Sequence, residues 1–157
     1  MKYCMAALVM LMHCKSIETK IEIEAPPEVV WAEFSDFDKY GEWNPFLRVS
    51  GEMKPGSKLA VAFHRSGDDW FKMNPTVLEA SNRHLIWRGR LLMPGIFTGE
   101  HEFRFEQTEK GQTVFYHNEK FNGLIVPFFP LGDTERKFEA MNAALKKRAE
   151  HATRKPK

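Results

Sequence analysis

Two runs of alternating residues, 99–108 and 112–122, most constrain what this chain of 157 residues can fold into. In the first, His101, Phe103 and Phe105 alternate with Glu102, Arg104 and Glu106; in the second, Phe115, His117, Glu119 and Phe121 alternate with Tyr116, Asn118 and Lys120. Strand side chains point to opposite faces in turn, so each run carries one aromatic face. Lys110-Gly111 between them is a turn signal and makes the two runs a hairpin. With the turn centred on 109–111, His101 opposes Glu119, Phe103 opposes His117 and Phe105 opposes Phe115. Opposed Cβ atoms lie about 4.5–5.5 Å apart, close enough for an imidazole and a carboxylate to hydrogen-bond. A register shifted by two pairs His101 with His117 instead. The aromatic face is the one to bury, and His and Glu on it need partners: each other, or a cavity that admits water or a polar ligand group.

The flanking sequence supplies the rest of a sheet. Residues 16–25 alternate strictly, with Ile17, Thr19, Ile21 and Ile23 on one face and charged residues on the other, which predicts a half-buried strand. Pro26 and Pro27 end it, and Pro27 suits the first turn of a short helix that carries Val29, Val30, Ala32 and Phe34. A second short helix or turn over 36–43 stops before Asn44-Pro45. Strand patterns follow at 47–53, 58–65, 70–80 and 83–92, ahead of the hairpin, and the short spacings between them favour antiparallel pairing. From Asp133, a candidate N-cap, Phe138, Met141, Leu145 and Ala149 fall on one stripe of a long amphipathic helix. The expected architecture is α+β: a seven-stranded curved antiparallel sheet wrapped around a long C-terminal helix, with two short helices after the first strand. A helix across a curved sheet leaves a cavity as its by-product.

The length suits one domain, taken as 15–152, with a basic tail at 153–157. Residues 1–14 are expected to be an extension, either disordered or the product of a start codon placed too far upstream; their short apolar run lacks a small-residue cleavage site. Thirteen Phe and four Trp are many for this length and suit an apolar pocket as well as a solid core. A net charge of +2 gives no case for nucleic acid. The cations gathered in the last helix fit a solvated face or a transient contact with anionic lipid. Both cysteines, Cys4 and Cys14, precede the domain body, so the sequence fits a reducing cytoplasm. No phosphate-binding glycine loop, zinc-hydrolase, serine-hydrolase or C-x-x-C motif occurs, and no metal or cofactor is expected.

Several motifs resemble the START and polyketide-cyclase-like superfamily, SRPBCC, which has the helix-grip fold. They are the opening strand with A-P-P-E-V-V-W, Tyr40-x-x-Trp43-Asn44-Pro45-Phe46, Gly99-Glu100-His101-x-Phe103, Glu119-x-Phe121-x-Gly123-Leu124 and Phe138-x-x-Met141-Asn142-x-x-Leu145-Lys146. The resemblance covers about 15–152 and implies a helix-grip domain. It leaves function open among binders of lipids and hormones, cyclases and aromatases, and co-chaperone-like modules.

The candidate ligand-binding set is His101, Glu119, Phe103, Phe121, His117, Trp87, Trp43, Met141 and Leu145. Phe103, Phe121, Trp87 and Met141 are expected as apolar wall, and His101 and Glu119 as the groups that orient a polar atom. Trp43 sits in a W-N-P-F turn that is either structural or a pocket lid. The run 124–131, LIVPFFPL, is either a packed connection or a portal. These features favour a non-catalytic binder of a hydrophobic small molecule or lipid-like ligand. The alternatives are a polyketide cyclase or aromatase-type enzyme with His101 or Glu119 as proton shuttle, and a protein-interaction module. Nothing in the sequence specifies the oligomeric state.

Overall fold

The computed structural model describes residues 13–128 and 132–154. Strand β1 (His13–Ile23) leads through Pro26 into helix α1 (Pro27–Ser35), then a 3-10 turn at Phe37–Lys39 and the short helix α2 (Tyr40–Trp43). Strands β2 (Leu47–Ser50), β3 (Ala60–Ser66), β4 (Asp69–Met73), β5 (Thr76–Ser81), β6 (His84–Leu91), β7 (Phe97–Gln107) and β8 (Thr113–Gly123) follow. A 3-10 turn at Val126–Phe128 then precedes helix α3 (Gly132–Arg154).

Eight strands replace the expected seven, because the 70–80 run divides at Asn74-Pro75 into β4 and β5. Pro75 has no N–H to continue a ladder, and the chain uses the break to change partners. β4 pairs with β3, whereas β5 pairs with β6. All pairings are antiparallel and form two sheets, of strand order β1-β8-β7-β6-β5 and β2-β3-β4. The segment before β3 runs beside β5: a bridge joins Lys58 to Thr76, and backbone bonds run from Leu59 N to Pro75 O and from Val77 N to Ser57 O.

β1 starts earlier than its alternation indicates. His13 and Cys14, assigned by the sequence to the extension, face Gly123 and Asn122 in the ladder with β8. The remainder of that extension, 1–12, lies outside the described residues, as do 129–131 of the apolar run and 155–157 of the tail. Thr153 and Arg154 of the expected tail are the last residues of α3. Asp133 lies inside the first turn of α3 and not at its cap, where it pairs with Lys137 at 2.5 Å.

The β7–β8 hairpin has the register read from its turn: His101 opposite Glu119, Phe103 opposite His117, Phe105 opposite Phe115. The inner face of this hairpin meets α1 and α3. Phe34 of α1 lies 4.9 Å from Phe103 and 5.0 Å from Phe105, ring centre to ring centre. From α3, Phe138, Met141, Leu145 and Ala149 are fully buried, as their stripe requires.

Candidate functional site

The site is built on the inner face of β7 and β8 under the middle of α3. His101 and His117 are diagonal neighbours on that face, and their Nε2 atoms lie 2.6 Å apart. Both rings are fully buried. His117 stacks on Phe138 of α3 at 3.8 Å with 6° between the planes, and His101 stacks on Phe103 at 4.5 Å. Those stacks fix the ring planes edge to edge, which is why the two imidazoles meet.

The expected hydrogen bond between His101 and Glu119 is not made. The two residues are directly opposed in the ladder, yet Glu119 Oε2 lies 3.8 Å from His101 Nδ1, beyond hydrogen-bond distance. The carboxyl leans over Gly99, where a Cβ would stand 2.6 Å from Oε1. Only the absence of a side chain at Gly99 allows that position.

Two further residues complete the arrangement. Asn142 of α3 places Oδ1 2.8 Å from His117 Nδ1, and its Nδ2 donates to Thr19 Oγ1 of β1 at 2.9 Å. The Thr19 hydroxyl donates in turn to the His117 carbonyl at 2.8 Å. These contacts determine the tautomers. The Thr19 proton is committed to the carbonyl, so Asn142 must present its NH2 to Thr19 and its oxygen to His117. His117 therefore carries its proton on Nδ1, and its Nε2 is a lone pair that accepts from His101 Nε2–H. His101 Nδ1 is left as an acceptor, and it has no hydrogen-bond partner among the described residues.

Electrostatics agree with a neutral cluster. Burial holds His101 well below its ordinary value of 6.5, with proximity to His117 adding to the shift. Burial lowers His117 to about 3 even though its bond to Asn142 acts the other way. Burial pushes Glu119 up to about 8, although its side chain keeps 13% of its exposure. At neutral pH the imidazoles are uncharged and the carboxyl is largely protonated.

The other sequence candidates distribute unevenly. Trp87 packs edge-on against His101 at 5.4 Å and Phe103 at 4.9 Å, so both residues belong to the walls of the cluster. Met141 and Leu145 lie on the same buried stripe of α3. Phe121, opposite Gly99, is buried against Phe97 at 5.8 Å. Trp43 stands apart on α2 with its ring on Tyr40 at 5.0 Å. Thr19 and Asn142 were absent from the candidate set. Their signal was visible: Thr19 is the polar member of the Ile17–Ile21–Ile23 row, and Asn142 falls four residues after Phe138, on the apolar side of the helix.

Around the histidines, the space between sheet and helix is occupied by these side chains. Gly99 and Phe121, toward the other end of the face, are buried as well. Beyond them two loops are joined by backbone bonds from Leu124 N to Gly95 O and from Ile125 N to Ile96 O. Leu92, Met93, Leu124 and Phe128 on these loops are exposed. The far end of the cluster, at Thr19 and Asn142, is closed by β1 and α3. Among the described residues, no group of His, Cys, Asp and Glu is placed to hold a metal ion, and no helix is long and apolar enough to cross a membrane.

The fold is shared with solved structures of low sequence identity. An aromatase/cyclase, Zhui from Streptomyces sp. R1128, is 17% identical with a TM-score of 0.69, over 90% of this chain and 97% of that one. A norcoclaurine synthase mutant from Thalictrum flavum, in complex with a transition-state analogue, is 16% identical with a TM-score of 0.66, over 90% and 98%. Ara h 8.0201 is 13% identical with a TM-score of 0.66, over 87% and 98%. No curated protein sequence matches the chain. Residues 15–150 match the family described as polyketide cyclase / dehydrase and lipid transport, so the chain is a helix-grip member of that family, within the SRPBCC superfamily read from its motifs.

Proposed function

We propose that the protein binds a hydrophobic small molecule at the Gly99–Phe121 end of the sheet, with the Glu119 carboxyl as its polar contact. The observation that carries this reading is Glu119 itself. It lies beside the two histidines on the inner face, makes no hydrogen bond among the described residues, and keeps 13% of its side-chain exposure. A buried carboxyl without partners costs stability, and such a cost is offset when a ligand supplies the missing partner. Phe97 and Phe121 supply apolar wall there, and the exposed Leu92, Met93, Leu124 and Phe128 give an apolar molecule a route in from solvent or from a membrane surface. The family description, which includes lipid transport, supports the same reading. The free, exposed Cys14 suits a reducing compartment such as the cytoplasm.

A cyclase or aromatase-type activity is the second reading. It is favoured by the 2.6 Å contact between His101 and His117, which places two imidazoles in series behind a carboxyl able to hold or release a proton near neutral pH. Native mass spectrometry of the protein isolated from its own source tests binding, together with titration of the neutral dye Nile red. A co-purifying apolar molecule, displaced by the dye, is the expected result. A ligand-free protein that takes up no dye would overturn the reading, and a captured molecule that is chemically converted on incubation would favour the enzyme.

A further inference from the structure

The hydrogen bonds behind Glu119 all run one way. Thr19 donates to the His117 carbonyl, Asn142 to Thr19, His117 Nδ1–H to Asn142, and His101 Nε2–H to His117 Nε2. Each donor is fixed by the one beneath it, and the series ends on a buried lone pair, His101 Nδ1, facing Glu119 Oε2 at 3.8 Å. An ionised carboxylate there would set lone pairs against a buried lone pair with no cation in contact among the described residues. A neutral carboxylic acid removes both penalties. Its proton belongs on Oε2, the oxygen facing His101, where a small rotation of the Glu119 side chain closes the gap to a hydrogen bond. Oε1, the oxygen over Gly99, is then a pure acceptor on a side chain that keeps 13% of its exposure.

We propose that the Thr19–Asn142–His117–His101 series makes Glu119 a neutral hydrogen-bond acceptor toward its ligand, and that the ligand class is an apolar molecule bearing a hydroxyl donor, such as a phenol, sterol or long-chain alcohol. This rests on the ligand-binding reading above. A carboxylate ligand has no proton to offer Oε1, and an ether or ester presents only acceptors, so both leave Oε1 unpaired. Donors in series polarise one another, which strengthens the outermost acid's bond to His101. Asn142 acts in this as a positioning residue, through the tautomer it imposes on His117.

The probes are 2-naphthol, its ether 2-methoxynaphthalene and its carboxylate counterpart 2-naphthoate, titrated by fluorescence at pH 6.5. The expected order places 2-naphthol roughly five- to tenfold tighter than the ether, the difference one neutral hydrogen bond makes. Glu119→Gln keeps that preference, because an amide can donate to His101 through its NH2 and present its oxygen outward. Glu119→Leu abolishes the preference while the ether still binds. Nitrogen-15 spectra of the imidazoles give a readout that needs no ligand: His117 should carry its proton on Nδ1 and His101 on Nε2. Equal binding of naphthol and ether, tightest binding of naphthoate, or loss of the preference in Glu119→Gln would each overturn the assignment. A proton on His101 Nδ1 would overturn it whatever binds. Failure of all three probes to bind the wild-type protein would remove the ligand-binding reading and its ligand class, while the imidazole spectra would still decide the direction of the series.

Discussion

Asn142, on the buried stripe of α3, aims its Oδ1 at His117 Nδ1 from 2.8 Å, so the helix sets the protonation pattern of an imidazole on the sheet. The same amide donates to Thr19, so one side chain on α3 joins polar groups of β1 and β8.

Replacing Asn142 by Leu keeps the branching and the number of side-chain heavy atoms and removes both bonds. His117 Nδ1–H then has no acceptor in a fully buried site. The expected loss is about 1–3 kcal/mol of unfolding free energy, read from urea denaturation. A change within about 0.5 kcal/mol would show that the amide is not holding the ring.

The titration of the cluster predicts the shape of stability against pH. His117 falls from 6.5 to about 3 on folding, and His101 falls as well, so the unfolded chain binds more protons below 6.5 and stability rises as pH increases toward 6.5. Glu119 shifts the other way, from 4.5 to about 8, so the folded chain binds more protons between those values and stability drops as pH rises through that window. The two slopes oppose each other below 6.5, where two histidines outweigh one acid, and only the falling slope remains between 6.5 and about 8. For these groups the optimum lies near pH 6.5. Glu119→Gln should flatten the alkaline fall and steepen the acid limb between about 4.5 and 6.5, where the acid no longer offsets the histidines. Thermal melts from pH 4 to 9 decide it, and a fall above pH 6.5 that survives the substitution would assign it to other groups.

The pairing in the hairpin was legible because alternation fixes the face and a turn centred on 109–111 gives the register adopted, rather than the one shifted by two. Side-chain partnership was not legible from that register. His101 opposes Glu119 along the backbone but bonds His117 on the diagonal, because the ring planes are set by Phe103 and by Phe138, and Phe138 arrives from a helix distant in sequence. The division of the 70–80 run was signalled by Asn74-Pro75, but Phe71, Met73 and Val77 continue one apolar row across it. Thr19 and Asn142 escaped for a related reason: single polar residues in apolar rows acquire meaning only when three elements are brought together.

A double-mutant cycle tests which partner His101 uses. His101→Phe combined with His117→Phe should be non-additive by about 1 kcal/mol or more, since either single change orphans a buried ring nitrogen of the other. His101→Phe combined with Glu119→Gln should couple more weakly in the ligand-free protein, where the gap is 3.8 Å. The reverse order of coupling would mean that Glu119, and not His117, is the principal partner of His101.

Two glycines at the Phe97–Phe121 end of the face should respond differently to a single methyl group. At Gly123 the backbone has φ +142°, and a Cβ would stand 2.3 Å from the Ile96 carbonyl oxygen, with main chain on both sides of the clash. Neither strain can relax without moving the strand end, so Gly123→Ala should cost about 2 kcal/mol or more. At Gly99 the obstacle is Glu119 Oε1 at 2.6 Å, the tip of a flexible side chain. Gly99→Ala should therefore cost under about 1 kcal/mol, helped by the lower entropy loss of alanine. The methyl group would push the Glu119 carboxyl off the sheet toward solvent, and its pKa should move down from about 8 toward its ordinary value of 4.5. Urea denaturation of both variants and a carbon-13 titration of the Glu119 carboxyl measure the two effects. Equal destabilisation by the two substitutions, or an unmoved carboxyl titration in Gly99→Ala, would show that Gly99 does not hold the space into which Glu119 leans.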